Sequence, residues 1–291
     1  MQDKISIITA SYNYAELIKE TIESVLNQTY SNWEMIIVDD GSKDNSIEVI
    51  NEYCKKDERI KLFTHENNQN KGLIETIKLG IEKSQSEWIV FLESDDTITP
   101  NYLERKLQTA KEHPEVEFIF NNVNLFGFKD KIELFEKHFD KINKILKENP
   151  YPANLLKYFK KDNLVGTFSV VMAKKKLFNN LDYNCPNKAF IDYYLWIQIA
   201  KNTNLFYLDE KLTNWRLHNS YMTRAKNYKE NELLKCKKKI LFLNNFEKAI
   251  ISPFLYLIAY INIFKKFIIR IHLKEKKVYI FNKEYNLNKG K

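Results

Sequence analysis

The sequence predicts an α/β fold built on a mostly parallel sheet flanked by helices, followed by a basic, apolar C-terminal tail. Three observations carry that prediction. Short β-rich apolar runs alternate with segments of helical periodicity from the first residues onward. Polar or acidic segments follow directly on three of those runs. The composition, 44% hydrophobic and 29% charged over 291 residues, supplies a large core and a wet surface, which excludes disorder and full membrane integration.

Ile5-Ser6-Ile7-Ile8-Thr9 reads as a first strand, Ile18, Ile22, Val25 and Leu26 recur at helical spacing, and residues 33–38 form a second β-rich run. This is a β-α-β opening. A helix at 46–55, a strand at 60–63, a helix through Ile74, Ile77 and Ile81 and a strand at 88–92 continue it. Helices between strands imply right-handed parallel crossovers and a sheet covered on both faces. Past Pro100 the spacing predicts a helix over 102–111, a buried strand at 168–172, a helix over 193–201 and a short last strand at 215–217. Residues 118–165 mix short apolar runs with Lys/Glu-rich helical stretches and follow no single period.

The net charge of +8 is unevenly placed. Residues 226–291 hold 16 Lys and Arg against 5 Asp and Glu, a balance of +11, so the first 225 residues stand at −3. Those basic groups bracket an apolar run rather than forming a polymer-reading face, which argues against nucleic acid and for an anionic membrane surface. A Lys-rich helix is expected over 230–243, and Ser252-Pro253 supplies a helix start. The apolar stretch 253–264 reaches about 18 Å as a helix, short of the ~30 Å bilayer core. Phe267, Ile268, Ile269, Ile271 and Leu273 then alternate with Arg270, His272 and Lys274, read as an interfacial helix. Packing on the body or a homo-oligomer contact through the tail is the competing explanation.

Six glycines, none close enough to another to build GxGxxG or GxxxxGK, exclude dinucleotide-binding dehydrogenases and P-loop NTPases. Three isolated cysteines, Cys54, Cys185 and Cys236, give neither a zinc site nor an even disulfide set and point to a reducing compartment. The chain enters its first strand without a basic, then apolar, leader, so no secretory signal is expected.

Chemistry concentrates in the segments after the strands: Ala10-Ser11-Tyr12-Asn13, Asp39-Asp40-Gly41-Ser42 and Glu93-Ser94-Asp95-Asp96. In an open α/β sheet, ligands bind beyond the carboxyl ends of strands where strand order reverses. An Asp-Asp-Gly alone is as readily a turn as a site. Two carboxylate clusters together favour a bound cation. Oxygen ligands without His/Cys spacing suggest Mg²⁺ or Mn²⁺, completed by water and substrate phosphates, and hence a diphosphate-containing substrate.

These runs, with Ser24-Val25-Leu26-Asn27-Gln28-Thr29-Tyr30 and Phe91-Leu92 before the acidic motif, resemble the family-2 inverting glycosyltransferases over residues 4–225. The resemblance implies the GT-A fold, a Rossmann-like sheet, with a nucleotide-binding half at 1–120 and an acceptor half at 121–225; 226–291 remains as a helical tail. It implies that Asp40 holds the nucleotide base, that Ala10 and Tyr12 flank it, that Asp95 sits by the ribose and that Asp96 ligates the metal. Phe190-Ile191-Asp192-Tyr193-Tyr194-Leu195-Trp196 resembles the motif whose aspartate is the catalytic base, and Trp215-Arg216-Leu217-His218 resembles the histidine motif, which makes His218 a metal or diphosphate contact. Gly166-Thr167 fits the glycine loop near the acceptor. The sequence departs from the family at Glu93, where Asp is frequent, at Ile191, where Glu is frequent, and at Lys78, where Asn is common.

The implied reaction is metal-dependent, inverting transfer of a sugar from a nucleotide-sugar, a UDP-sugar first, to a saccharide acceptor carried on a lipid. The place implied is the cytoplasmic face of the cell membrane, with peripheral attachment. No QxxRW follows Asp192, as processive polymerases would have, so a single sugar is expected. A nucleotidyltransferase shares a related sheet but uses a glycine-rich first loop, and residues 10–15 contain no glycine. A non-catalytic protein on the same fold is the third alternative, and the retained Asp40, Asp95, Asp96 and Asp192 argue against it.

Overall fold

The computed structural model describes residues 3–159, 161–185, 190–217, 269–272, 277–280 and 283–286. The chain falls into two units, Met1–Cys236 and Lys237–Lys291. The spine of the first is four parallel strands, β1 (Ile5–Ser11), β2 (Trp33–Asp39), β3 (Ile60–Thr64) and β4 (Trp88–Phe91), in spatial order β3-β2-β1-β4. The chain steps outward on one side of β1 through β2 and β3, then returns to its other side as β4. The switch point therefore lies between β1 and β4, with Ile8 paired to Phe91.

β1, β2 and β4 are buried on both faces because helices cover both. On one face Ile5, Ile7, Met35 and Ile37 pack with Ile18, Ile22 and Val25 of α1 (Ile18–Leu26) and with Val49 and Ile50 of α2 (Ser46–Lys56). On the other face lies α3 (Leu73–Lys83), so close that a Cβ on Gly80 would stand 2.4 Å from Ile8 Cγ2. That contact explains a glycine inside a helix, where alanine would otherwise be favoured by about 1 kcal/mol.

Beyond β4 the sheet becomes mixed. The short β5 (Thr97–Ile98) and α4 (Tyr102–Glu112) lead to a long β6 (Phe118–Gly127). The aperiodic stretch then resolves into α5 (Lys129–Glu148) and α6 (Leu156–Phe159). A 3-10 turn at Phe168–Val170 precedes β7 (Val171–Lys174), so the strand expected at 168–172 begins later than its apolar run. The helix expected over 193–201 is α7 (Ile191–Asn202), and the short last strand is the 12-residue β8 (Phe206–Leu217). The full order is β3-β2-β1-β4-β7-β6-β8-β5, with β7 antiparallel to β4 and β6, β8 parallel to β6, and β5 antiparallel to β8.

In the second unit, β9 (Ile269–His272), β10 (Lys277–Ile280) and β11 (Lys283–Asn286) form an antiparallel three-stranded sheet. The interfacial helix expected from Phe267 onward is thus corrected over 269–272. Ile269 and Ile271 alternating with Arg270 and His272 is a period of two, the strand period, whereas an interfacial helix needs 3.6. The helices expected at 230–243 and after Ser252 fall outside the described residues.

Candidate functional site

The carboxyl ends of β1 and β2 are tied into one platform. Past β1 the chain turns at Asn13, whose φ is +56°. Its backbone N–H donates to Ser42 Oγ at 2.9 Å, and its Oδ1 accepts from the N–H of Lys43 at 2.7 Å. Asp39 accepts from the N–H and hydroxyl of Ser42, at 2.8 and 2.6 Å, so the first aspartate of the pair is the turn lock. Gly41 follows at φ +76°, and a Cβ there would lie 2.6 Å from the Asn68 carbonyl oxygen, a conformation and closeness that call for glycine.

Asp40 stands at the floor of this platform. Its N–H donates to the Ser11 carbonyl at 2.8 Å. Its Oδ1 accepts from the N–H groups of Lys71 at 2.7 Å and Gly72 at 3.0 Å, which fixes the loop ahead of α3. His65 Nε2 lies 3.6 Å from the same carboxylate and 3.0 Å from Thr76 Oγ1. Ala10, next to last in β1, pairs with Val38, and Tyr12 keeps 42% of its surface exposed, large for an aromatic ring. Ala10, Tyr12 and Asp40 thus lie at the adjoining carboxyl ends of β1 and β2.

The acidic motif leaves β4 with alternating burial: Leu92, Ser94, Asp96 and Ile98 inward, Glu93, Asp95 and Thr97 partly open. Asp96 is 0% exposed; its Oδ2 accepts from Ser169 Oγ at 2.6 Å and its Oδ1 from the N–H of Arg216 at 2.9 Å. Burial first, then the charges of Asp95 and Glu93, push its carboxyl well above the usual range, against the hydrogen bonds from Ser169 and Arg216. Each carboxylate oxygen of Asp96 thus accepts one hydrogen bond inside the protein, and the half-buried carboxylate of the pair is Asp95. The period of two that buries Leu92 and Ile98 also buries position 96.

Glu93, the first residue of the acidic motif, feels the charges of both Asp95 and Asp192. Burial raises its carboxyl to about 8; the Asp95 and Asp192 charges add to this, while the Thr167 hydroxyl, donating to Oε2, opposes it. Asp192, in the first turn of α7, is half-buried and accepts from Asn163 Nδ2 at 3.0 Å. Burial lifts it to about 6, against the hydrogen bonds from the Tyr193 N–H and Asn163. Glu93, Asp95, Asp96 and Asp192 thus share one field, and the charge crowding that shifts Glu93 and Asp96 is what a cation would relieve. Among the described residues no three His, Cys, Asp or Glu side chains are arranged to enclose a metal ion. That fits a cation held by one or two carboxylates and completed by substrate phosphates and water. His218 lies outside the described residues.

Sequence reasoning missed Asn163 and Ser169. A hydroxyl inside the apolar run Phe168-Ser169-Val170-Val171 was the available signal for the latter.

A doubly covered sheet with a carboxylate cluster at its switch point defines the class of α/β proteins that take ligands beyond the strand ends. Within that class the chain belongs to glycosyl transferase family 2, whose model matches residues 6–181. The UDP-Glc:alpha-D-GlcNAc-diphosphoundecaprenol beta-1,3-glucosyltransferase WfgD of Escherichia coli is 28% identical over 259 residues, covering 88% of this chain and 92% of that protein. The putative teichuronic acid biosynthesis glycosyltransferase TuaG of Bacillus subtilis is 30% identical over 224 residues, covering 76% and 82%. The chain spans only 30% of the length of a Rickettsia bellii glycosyltransferase to which it is 30% identical over 224 residues. Among solved structures, the mannosyltransferase PcManGT of Pyrobaculum calidifontis, in complex with GDP-Man and Mn²⁺, superposes with a TM-score of 0.57 at 12% identity, over 91% of this chain and 81% of that one. That likeness shows the fold, the GT-A arrangement implied by the motifs.

Proposed function

We propose that the chain transfers a single sugar from a nucleotide-sugar, a UDP-sugar in the first instance, to a hydroxyl of a lipid-linked saccharide, inverting the anomeric centre. The observation that carries this reading is the half-buried Asp192 set within electrostatic reach of Glu93, itself beside Asp95. The similarity to WfgD supports the UDP-sugar donor and the lipid-diphosphate acceptor.

Tyr12 and Ala10 flank the base and Asp40 underlies it. Asp95, with Glu93 beside it, is the carboxylate that would hold Mn²⁺ or Mg²⁺; PcManGT binds Mn²⁺ on the same fold. A divalent cation bound there supplies charge neutralisation of the departing diphosphate. Asp192 takes the proton of the acceptor hydroxyl as its oxygen bonds to the anomeric carbon and the bond from that carbon to the diphosphate oxygen breaks. One displacement inverts configuration and leaves no covalent intermediate.

No helix among the described residues is long and apolar enough to cross a membrane. The tail's +11 balance and the lipid-linked substrate of WfgD support attachment to the cytoplasmic, anionic membrane face. The organisation that goes with this reading is a catalytic unit at 1–225, donor half to 120 and acceptor half beyond, with 226–291 as the attachment segment. The experiment is a screen of nucleotide-sugars for diphosphate release with and without Mn²⁺, using an undecaprenyl-diphosphate sugar as acceptor. Release that is acceptor-dependent and abolished by chelation is expected. Equal release with the metal removed overturns the cation's role, and no release with any donor overturns the reaction.

A further inference from the structure

The acidic motif is a tight turn: the N–H of Asp96 donates to the Glu93 carbonyl at 3.2 Å, leaving Asp95 at its tip. A single hydroxyl grips both ends of that turn. Ser169 Oγ donates to Asp96 Oδ2 at 2.6 Å and accepts from the N–H of Glu93 at 3.0 Å, and the residue is 0% exposed. One proton and two lone pairs suffice for both bonds, so the hydroxyl is used as donor and acceptor at once.

The 3-10 turn that carries Ser169 is itself pinned from behind. Tyr102 Oη and Thr213 Oγ1 donate to the Ser169 carbonyl at 3.0 and 3.1 Å. The Nζ of the fully buried Lys106 donates to the Val170 carbonyl and lies 4.6 Å from the Tyr102 ring centre. Phe168 sets its ring 5.5 Å from Phe91, just ahead of the acidic motif, and 5.2 Å from Trp196, one helical turn after Asp192. Thr167, at the other end, donates to Glu93. The turn touches the donor-side carboxylates through hydroxyls and the Asp192 helix through an aromatic ring.

We propose that Ser169 is a positioning residue that fixes the tip carboxylate of Asp95, and that the segment 167–170 is the element that locks the acidic motif to the rest of the site. The inference rests on the reading of Asp95 as cation holder. Ser169 touches neither donor nor acceptor; it acts by keeping Glu93 and Asp96, the two ends of the turn that carries Asp95, from moving apart. Loss of its hydroxyl leaves Asp96 Oδ2 without its donor and the Glu93 N–H without this acceptor, which frees the tip.

The test uses the full chain and calorimetry with UDP in the presence and absence of Mn²⁺, beside thermal melting. Wild type is expected to bind UDP more tightly with Mn²⁺. Ser169→Ala is expected to bind UDP alone as wild type does while losing about tenfold of the Mn²⁺ enhancement, the scale of one hydrogen bond to a charged group. A role confined to packing would lower the melting temperature and leave the Mn²⁺ enhancement untouched. Tyr102→Phe keeps the ring and removes one donor to the Ser169 carbonyl; it is expected to lose a smaller part of the enhancement and decides the matter if Ser169→Ala does not fold. A folded Ser169→Ala, or failing that Tyr102→Phe, with the wild-type enhancement overturns the inference alone. Wild type binding UDP equally with and without Mn²⁺ overturns the cation reading and the inference with it.

Discussion

Asn163 Nδ2 donates to Asp192 Oδ2 at 3.0 Å, so the carboxylate at the head of α7 is held by a side chain from the loop before the 3-10 turn. Burial pushes Asp192 up to about 6 and this hydrogen bond pulls it down. A base works deprotonated, so kcat/KM should fall as pH drops through about 6. Asn163→Ala removes a stabiliser of the charged form and should move that inflection to higher pH. A pH–rate profile of the two proteins checks it, and an unmoved inflection separates Asn163 from the base.

The neighbours Asp95 and Asp96 should respond oppositely to the same change. Asp95→Asn keeps the fold and is expected to melt like wild type while losing Mn²⁺-enhanced UDP binding. Asp96→Asn keeps an acceptor for only one of the two donors, Ser169 and Arg216, and sets its amide NH₂ against the other, a cost of about 1–3 kcal/mol. Its melting temperature should drop. The reverse pattern would place the metal on Asp96.

Far from the site, Glu34 is 1% exposed and accepts from Ser6 Oγ at 2.7 Å, from Lys4 and Lys61 Nζ at 3.0 Å each and from the Gln85 N–H at 3.1 Å. Burial alone would raise it, but these donors hold it at about 2, below its ordinary 4.5. A depressed carboxylate stabilises the fold above its unfolded pKa and loses that contribution as pH falls from about 4.5 towards 2. Glu34→Gln should cost about 1–3 kcal/mol at neutral pH and flatten the acid limb. Denaturant melts at pH 7 and at pH 3 read both; equal slopes would count against the network.

Much of the first half was legible because its physics is local. The strands β1 to β4 and the helices between them follow from runs whose period is unambiguous, and the polar segments after them fell at the switch point as the order β3-β2-β1-β4 requires. The acceptor half was opaque because β6 and β8 pair across about 90 residues, with Phe120 beside Tyr207, and such pairing leaves no local period. Ser169 and Asn163 were invisible for the same reason, since their roles lie in partners such as Asp96, 73 residues away in sequence. The burial of Asp96 was legible, since strand alternation continues through the motif to Ile98.

Asp192 remains the residue on which the account turns. Asp192→Asn preserves shape, can still meet Asn163 and removes the basic oxygen, so the most direct measurement is sugar transfer by this variant beside calorimetric binding of the donor nucleotide with Mn²⁺. Transfer is expected to fall by about 10²-fold or more with nucleotide affinity unchanged. Transfer near the wild-type rate, in a variant that binds nucleotide normally, would contradict the assignment of Asp192 as the base.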